Sequence, residues 1–281
     1  MINPMKEITY INGNFVPAEK AMIHITDLGL LRGYGVFDFF RAIHGTPIFL
    51  EDHLDRFEFS TGMLSLKISL SRNELKENIL KIIELNPHEL LGVKLIATGG
   101  YSEDGYTPTT PNLFMLAKSF KFAIYNAPLK LFPVEYCRDL PLIKSLNYLK
   151  PISVIQNQHA AGADDVLYHK NGVITESSRS NIFIVKKGVV ITPEKDVLAG
   201  VTRKNVLRLA KENNFQVEIR DVTLDEVKTA DEVFTTGSTK RIVPVTQVGD
   251  WKFPSGKITY TLYQMLLESE KTFNLSAAKI H

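Results

Sequence analysis

The stretch Ile143-Lys144-Ser145-Leu146-Asn147-Tyr148-Leu149 decides how the chain is interpreted, because it places a lysine in a mostly apolar run with a polar pair just behind it. Burial disfavours the charged form of an amine, which lowers its pKa and prepares the neutral amine to attack a carbonyl carbon. A lysine that forms a Schiff base needs such surroundings. The alternative is a lysine whose ammonium reaches solvent from a strand end, which is the ordinary outcome for a lone lysine.

Three further segments follow Lys144 and combine small polar residues with apolar strands or helices. Glu176 precedes Ser177-Ser178-Arg179-Ser180 and an apolar strand, Gly200-Val201-Thr202 opens a helix, and Thr236-Gly237-Ser238-Thr239 lies between two apolar segments. With the lysine segment, these features resemble the class IV pyridoxal-phosphate enzymes. That fold-type IV family contains branched-chain aminotransferases, D-amino-acid aminotransferases and aminodeoxychorismate lyases. The resemblance runs from about residue 8 to about residue 265.

The resemblance implies an α/β (α+β) fold in two domains. Residues 1–120 would form a small α/β N-terminal domain, and residues 121–281 a larger C-terminal domain, a β-pseudobarrel with helices that binds the cofactor. A chain of 281 residues is long enough for two domains that each bury a core. We therefore expect a boundary near residue 120.

Pyridoxal 5'-phosphate needs a lysine to form an imine with its aldehyde and a carboxylate beside its pyridine nitrogen. The resemblance assigns these roles to Lys144 and Glu176. Tyr148, four residues after the lysine, matches a tyrosine that lies against the cofactor in branched-chain members, although the spacing there differs by one residue. Seen alone, Glu176 would read as a surface acid at a strand end.

The cofactor phosphate needs hydrogen-bond donors and a cation. A helix beginning at Val201 and Thr202 offers backbone amides, a partial positive charge and a hydroxyl, and Ser238 offers a second hydroxyl. The family's H-x-x-R-like pattern implies that Arg56 binds the phosphate, for which a guanidinium fork is suited. Each candidate has a plain alternative: a helix cap, a turn, or, for Arg56, a solvated surface arginine.

The substrate side is predicted from Phe37-Asp38-Phe39-Phe40-Arg41, which resembles the branched-chain pattern Phe-Glu-x-x-Arg. It implies that Phe37 contacts the substrate and that Arg41 binds its carboxylate, the alternative being a surface arginine at a strand end. Phe39 and Phe40 would add apolar surface for an aliphatic side chain. Thr239, in the same polar loop as Ser238, is the third substrate candidate.

Two departures from the family pattern leave the substrate open. The loop of residues 99–111 lacks the arginine and histidine that hold the substrate carboxylate in D-amino-acid aminotransferases. Lys240-Arg241 stands where most members have a small residue and a glutamate, and this basic pair either binds an anionic substrate or faces solvent. The Lys-Ser-Leu-Asn string, in contrast, is close to that of the D-amino-acid and lyase branches.

The expected activity is transamination between an amino acid, branched-chain or similar, and a 2-oxo acid, with the Lys144 amine moving a proton between the substrate α-carbon and C4′ of the cofactor. The alternatives are an aminodeoxychorismate lyase, which forms 4-aminobenzoate and pyruvate, and a D-amino-acid aminotransferase. A catalytically idle cofactor-binding or phosphate-binding protein is a hypothesis from another class. Lys144 and Glu176 together argue against it, because phosphate binding alone requires neither.

Composition bounds the remaining possibilities. The chain is 44% apolar and 23% charged, with a net charge of +2, which does not favour nucleic acid or an acidic membrane face as partner. Its single cysteine, Cys137, cannot form an intrachain disulfide, so a reducing cytoplasm is expected. No apolar run is long enough for a membrane span, and no metal site is expected. The family implies a homodimer, in which a partner loop completes the site.

Local patterns predict several elements. An Asn-Gly turn predicts a hairpin over residues 8–16, and helices are expected from Leu50 to about Leu64 and from Ser71 to Leu85. Residues 25–34 read as a glycine-containing loop. Residues 151–162 read as one helix with Val154, Ile155 and Ala160 or Ala161 inward, and a last helix is expected over residues 257–273.

Overall fold

The structure, a computed structural model, describes residues 7–122, 125 and 127–278, with side chains as far as residue 273. The chain divides into two compact units. Within the described residues, the first comprises residues 7–121, 143–147 and 274–278, and the second comprises residues 122, 125, 127–142 and 148–273. A mixed α/β fold is thus confirmed.

The first unit is built on a six-stranded antiparallel sheet. Its elements are β1 (Ile8–Ile11), β2 (Asn14–Pro17), a 3-10 turn (Ala18–Lys20), α1 (Leu28–Arg32), β3 (Gly35–Ile43), β4 (Thr46–Pro47), α2 (Leu50–Met63), α3 (Arg72–Glu84), β5 (Leu90–Thr98) and β6 (Asn112–Ser119). The strand order is β2-β1-β6-β5-β3-β4. Apolar side chains of β3, β5, β6, α2 and α3 form one buried core.

Local chemistry explains the elements that the sequence predicts in this unit. Asn12 and Gly13 both have positive φ, as a two-residue hairpin turn between β1 and β2 requires. A capping box formed by Ser71 and Glu74 starts α3. The expected loop over residues 25–34 instead contains the short helix α1, which begins after Asp27 because the Asp27 carboxylate accepts from the Gly29 amide.

The Lys144 segment pairs with the start of β3. The Phe37 amide donates to the Lys144 carbonyl at 2.9 Å, and the Leu146 amide donates to the Gly35 carbonyl at 2.9 Å. A Cβ on Gly35 would lie 2.7 Å from Leu146 Cδ1, so this close approach requires glycine. The boundary expected near residue 120 assigned Lys144 to the second domain, whereas its backbone pairing assigns residues 143–147 to the first unit.

The second unit contains a nine-stranded mixed sheet. Its elements are β7 (Leu129–Glu135), α4 (Leu149–Ser153), α5 (Ile155–Ala160), β8 (Asp165–Lys170), β9 (Val173–Ser177), β10 (Asn181–Lys186), β11 (Val189–Thr192), α6 (Val201–Glu212), β12 (Val217–Ile219), α7 (Leu224–Lys228), β13 (Glu232–Gly237), β14 (Arg241–Val248), β15 (Trp251–Lys252) and α8 (Lys257–Ala278). The order is β12-β11-β10-β13-β14-β7-β8-β9, with β15 on β14.

A pairing between β9 and β10 closes six of these strands into a ring, β10-β13-β14-β7-β8-β9. The closing pair is Glu176 with Asn181, and the Ser177 amide donates to the Ser180 carbonyl at 2.8 Å beside it. The ring accounts for the barrel-like second domain implied by the family resemblance. It also places Glu176 at the point of closure.

The expected helix over residues 151–162 is wrong in its details. Two short helices, α4 and α5, meet at Val154, which is buried as expected. Ile155, Ala160 and Ala161 are exposed, contrary to the prediction. Because the helix is interrupted at Val154, residues on its two sides do not share one 3.6-residue periodicity.

The described part of α8 reaches Ala278, five residues beyond its predicted end. Neither this helix nor any other within the described ranges combines the length and hydropathy that a membrane crossing demands.

Candidate functional site

The side chain of Lys144 lies against Phe37 in the first unit. Lys144 Nζ is 4.6 Å from the centre of the Phe37 ring, a distance at which an ammonium is attracted to the aromatic face. A second lysine, Lys94 on β5, places its Nζ 5.5 Å from the centre of the same ring. The structure therefore brings together two of the predicted site residues and adds a lysine that the sequence did not single out.

Strand β3 carries its predicted substrate residues on two different faces. Phe37 and Phe39 are half-buried on one face, whereas Asp38 and Phe40 are fully buried on the other. The expectation that Phe40 adds apolar surface for a substrate is wrong, because side chains alternate along a strand and Phe40 points into the core. Arg41 is also buried, at 3% exposure, so it is not a surface arginine.

Arg56 belongs to a buried polar cluster with Asp38 and His53. Its Nε and Nη2 lie 2.8 Å and 2.9 Å from the two carboxylate oxygens of Asp38, and His53 Nδ1 lies 2.7 Å from Asp38 Oδ1. The three side chains are at most 8% exposed. Arg56 is therefore not a solvated surface residue, and the cluster joins helix α2 to strand β3.

The ionisation of this cluster follows from its burial and charges. Burial alone would raise the pKa of Asp38, but Arg56, His53 and their hydrogen bonds outweigh it and hold that pKa well below its usual range. Burial lowers the pKa of His53, and the Asp38 charge offsets this only in part. An ionised carboxylate can only accept, so His53 Nδ1–H donates to Asp38.

Glu176 is held from two sides in the second unit. Arg138 Nε donates to Glu176 Oε1 at 2.7 Å, and the Leu198 amide donates to Oε2 at 3.0 Å. Glu176 is buried, so it is not the surface acid of the alternative reading. Sequence reasoning missed Arg138, although its position six residues before Lys144 was a signal.

The predicted phosphate ligands of this unit lie on α6 and on the loop between β13 and β14. Val201 and Thr202 are buried in the first turn of α6, whose start has no side-chain cap, and Ser238 is half-buried. A Cβ on Gly200 would meet Asn181 Oδ1 at 1.9 Å, so the chain needs glycine where α6 begins. Uncapped amides at a helix start favour an anion.

Five buried hydroxyls in the second unit have no hydrogen-bond partner among the described residues. Two belong to Tyr125 and Tyr168, and the other three belong to Ser177, Ser180 and Thr236. Thr236 pairs with Asn181 across β13 and β10, Ser177 is the last residue of β9, and Ser180 lies in the turn between β9 and β10. Buried polar groups normally find partners, so these three hydroxyls indicate a polar ligand. Their chemistry fits a phosphorylated cofactor, and they could not be identified from the sequence.

The remaining predicted residues are less buried. Tyr148 is half-buried and directly precedes α4, and Thr239 is exposed in the loop after Ser238. Lys240 and Arg241 are paired with carboxylates. Lys240 Nζ lies 3.1 Å from Asp165 Oδ2, and Arg241 Nη2 lies 2.8 Å from Glu270 Oε2.

Comparisons with known proteins agree on one family. The class IV amino-transferase family matches residues 35–248. A putative branched-chain-amino-acid aminotransferase of Methanocaldococcus jannaschii is 34% identical over 250 residues, covering 85% of this chain and 87% of the relative. A D-alanine aminotransferase of Bacillus licheniformis is 30% identical over 255 residues, covering 87% and 89%.

A solved structure is similar over nearly the whole chain. It is the branched-chain amino acid aminotransferase of T.th. complexed with N-(5'-phosphopyridoxyl)-L-glutamate, with a TM-score of 0.89, 26% identity and 95% coverage of both chains. The chain belongs to the class IV aminotransferases, a family of pyridoxal-phosphate-dependent enzymes.

Proposed function

We propose that this enzyme is a transaminase that moves an amino group between a branched-chain or similar amino acid and a 2-oxo acid, with Lys144 as the lysine that binds the cofactor. The observation that carries the proposal is the position of Lys144 Nζ beside the Phe37 ring, on a segment that two backbone hydrogen bonds join to β3. The names of the similar proteins support the reaction class. They include both branched-chain and D-alanine aminotransferases.

Pyridoxal phosphate, when bound, supplies an electron sink that stabilises negative charge on the substrate α-carbon. In the proposal, Lys144 would bind the cofactor aldehyde, and its amine, freed when the substrate amine takes its place there, would carry a proton between the α-carbon and C4′. Glu176 keeps the pyridine nitrogen protonated. Arg138 and the Leu198 amide support this role, because they orient the carboxylate and favour its charged form.

The proposed phosphate ligands are Arg56, the amides of Val201 and Thr202, and the hydroxyls of Thr202 and Ser238. A cation, helix-terminal amides and hydroxyls are the groups that phosphate needs. Buried hydroxyls of Ser180 and Thr236 extend this donor set. Tyr148 is the proposed contact to the cofactor ring.

The proposed substrate contacts are Phe37, Arg41 and Thr239. The half-buried ring of Phe37 next to Lys144 offers apolar surface to an aliphatic side chain. Arg41 is the proposed partner of the substrate carboxylate. Asp104 accepts hydrogen bonds from Ser102, Tyr106 and Thr107, and these bonds shape the loop of residues 99–111. The loop has no arginine or histidine that could bind the substrate carboxylate.

An absorption spectrum of the purified protein with bound pyridoxal phosphate tests the reaction. L-leucine, L-glutamate, D-alanine and aminodeoxychorismate would be added separately. Loss of the visible band with L-leucine, and 2-oxo acid formation, are expected. A response to D-alanine alone would assign the D-amino-acid branch. A stable band with all three amino acids, with pyruvate released from aminodeoxychorismate, would assign the lyase branch.

We also propose a cytoplasmic homodimer. Exposed apolar side chains support the dimer: Met22, Ile25, Leu30 and Tyr106 are each more than 60% exposed. The segments that carry them are linked, because the Ser102 amide donates to the Thr26 carbonyl at 3.1 Å. Light scattering of the purified protein should give twice the chain mass of 31.7 kDa, and a monomer would contradict the proposal.

A further inference from the structure

The loop between β13 and β14 carries Ser238 and Thr239 and is fixed at its base by an unusual conformation. The Lys240 amide donates to the Gly237 carbonyl at 3.0 Å, and Arg241 has a φ of 59°. Arg241 is the first residue of β14, directly after the three-residue connection of residues 238–240, and glycine ordinarily occupies a left-handed position of this kind. Interactions of the side chain can offset the cost of this conformation.

Both basic residues after Thr239 supply such interactions. The Arg241 guanidinium pairs with Glu270 and lies 3.4 Å from the centre of the Phe122 ring. Lys240 Nζ pairs with Asp165, which is 2% exposed at the start of β8. These two side chains anchor one end of the hydroxyl-bearing loop to α8 and to β8.

Asp165 also binds the second hydroxyl-bearing turn. Ser178, between β9 and β10, donates its hydroxyl to Asp165 Oδ1, while Lys240 pairs with Oδ2. The Val166 amide donates to Oδ1 at 2.9 Å and orients the carboxylate. Burial would raise the pKa of Asp165, but Lys240 and these hydrogen bonds outweigh it and lower that pKa, so the carboxylate stays ionised.

The bridge joins the turn between β9 and β10 to the loop between β13 and β14, and the hydroxyls of Ser177, Ser180 and Thr236 lie in or beside these two turns. Ser177 and Ser180 flank Ser178, and Thr236 lies in β13 just before the loop that ends at Lys240. We propose that Asp165, through Lys240 and Ser178, is a positioning residue that holds these two turns in register so that their hydroxyls bind the phosphate of the cofactor. This inference rests on the function proposed above.

Affinity for pyridoxal phosphate, compared with that for pyridoxal, tests the inference, because only the first ligand has a phosphate. Removing Lys240 alone would leave the Asp165 charge buried and unpaired, which can destabilise the fold. The test therefore includes Lys240→Met and the double variant Lys240→Met/Asp165→Asn. Lys195→Met is the matched control, since Lys195 pairs with Asp221 at 3.0 Å on the exposed surface.

Both Lys240 variants should bind pyridoxal phosphate about tenfold more weakly than the parent, by analogy with the loss of metal affinity that follows when the hydrogen-bond partners of metal ligands are removed. Their affinity for pyridoxal should not change. Lys240→Arg should retain most of the parental preference for pyridoxal phosphate over pyridoxal. Lys195→Met should retain all of this preference. The positioning role of Asp165 would be overturned if the double variant bound pyridoxal phosphate as tightly as the parent does. It would also be overturned if the variants lost affinity for pyridoxal phosphate and for pyridoxal by the same factor.

The parent protein separates this inference from the proposed function. A parent that prefers pyridoxal phosphate, combined with a double variant that keeps the same preference, overturns only the role of Asp165. A parent that binds both ligands equally overturns the proposed phosphate ligands and this inference together.

Discussion

Arg56 and Asp38 form a two-point ion pair, with Nε–Oδ2 and Nη2–Oδ1 distances of 2.8 Å and 2.9 Å. Asp38 has no exposed surface, so its charge depends on this pair and on His53. The pair also fixes the guanidinium that we propose binds the phosphate. Under this proposal, stability and cofactor binding depend on the same ion pair.

Replacing Asp38 by asparagine should destabilise the protein by about 3–5 kcal/mol, because the Arg56 charge stays buried without its carboxylate. Urea unfolding of the cofactor-free protein measures the change. Glu218→Gln is the control, since Glu218 pairs with Arg220 where both side chains are exposed, and it should cost less than about 1 kcal/mol. Equal effects of the two substitutions would show that the Asp38 pair contributes no more than a surface pair.

The stability of the protein should fall as the pH drops below about 6.5. His53 has a lowered pKa because it is buried, so the unfolded chain binds a proton at this position at pH values where the folded chain does not. More protons on the unfolded state mean less stability at lower pH, by at most about 1.4 kcal/mol per pH unit. A second loss should follow below about pH 4, as the unfolded chain protonates Asp38, whose folded pKa is depressed.

Substituting His53 by glutamine should flatten the first of these slopes. The control is His44→Gln, because the side chain of His44 is 69% exposed and pairs with exposed Glu89. Urea unfolding between pH 7 and pH 5 compares the variants. An unchanged slope in His53→Gln would show that another group causes the pH dependence.

Glu176→Gln should lower the transamination rate about a hundredfold or more, because a neutral amide does not keep a pyridine nitrogen protonated. Rates would be measured with saturating pyridoxal phosphate, so that weaker cofactor binding does not contribute. Glu212→Gln, which removes an exposed carboxylate paired with Arg208, should keep the parental rate. A fully active Glu176→Gln enzyme would remove Glu176 from the proposed mechanism.

Alanine should have opposite effects at two glycines. At Gly200 the added methyl group displaces Asn181, which donates to the Leu198 carbonyl at 2.9 Å, so we expect a loss of about 1–3 kcal/mol. At Gly62, in the last turn of α2, the methyl group meets no atom within 4 Å. We expect the free energy of unfolding to rise by about 0.5 kcal/mol, because alanine reduces the conformational freedom of the unfolded chain. Thermal unfolding checks both signs. Stabilisation by Gly200→Ala would contradict the close approach seen at the start of α6.

Much of the fold could be predicted because its signals are local. The Asn12-Gly13 turn and the Ser71 cap need only a few neighbouring residues, and both lie where the sequence indicates. The prediction that Phe40 faces the substrate was wrong, although the alternation of side chains along a strand could have corrected it. Phe37 and Phe39 lie on one face of β3, so Phe40 lies on the other. The burial predicted for residues after Val154 was wrong, because the sequence pattern does not show that the helix is interrupted there.

The contacts around the candidate site join distant parts of the chain, and a single sequence does not show them. Arg138 and Glu176 are 38 residues apart, and Lys240 and Asp165 are 75 residues apart. The sequence singled out Lys240-Arg241 as unusual but left two uses open. Only the folded chain shows that both residues pair with buried carboxylates.

The most direct test of the central claim is to find the lysine that binds pyridoxal phosphate. The loaded protein would be reduced with borohydride and digested, and mass spectrometry would identify the labelled peptide. We predict the phosphopyridoxyl group on Lys144, the same label in Lys94→Ala, and no label in Lys144→Ala. A label on Lys94 or another lysine of the parent, or continued labelling of Lys144→Ala at the parental level, would contradict the account.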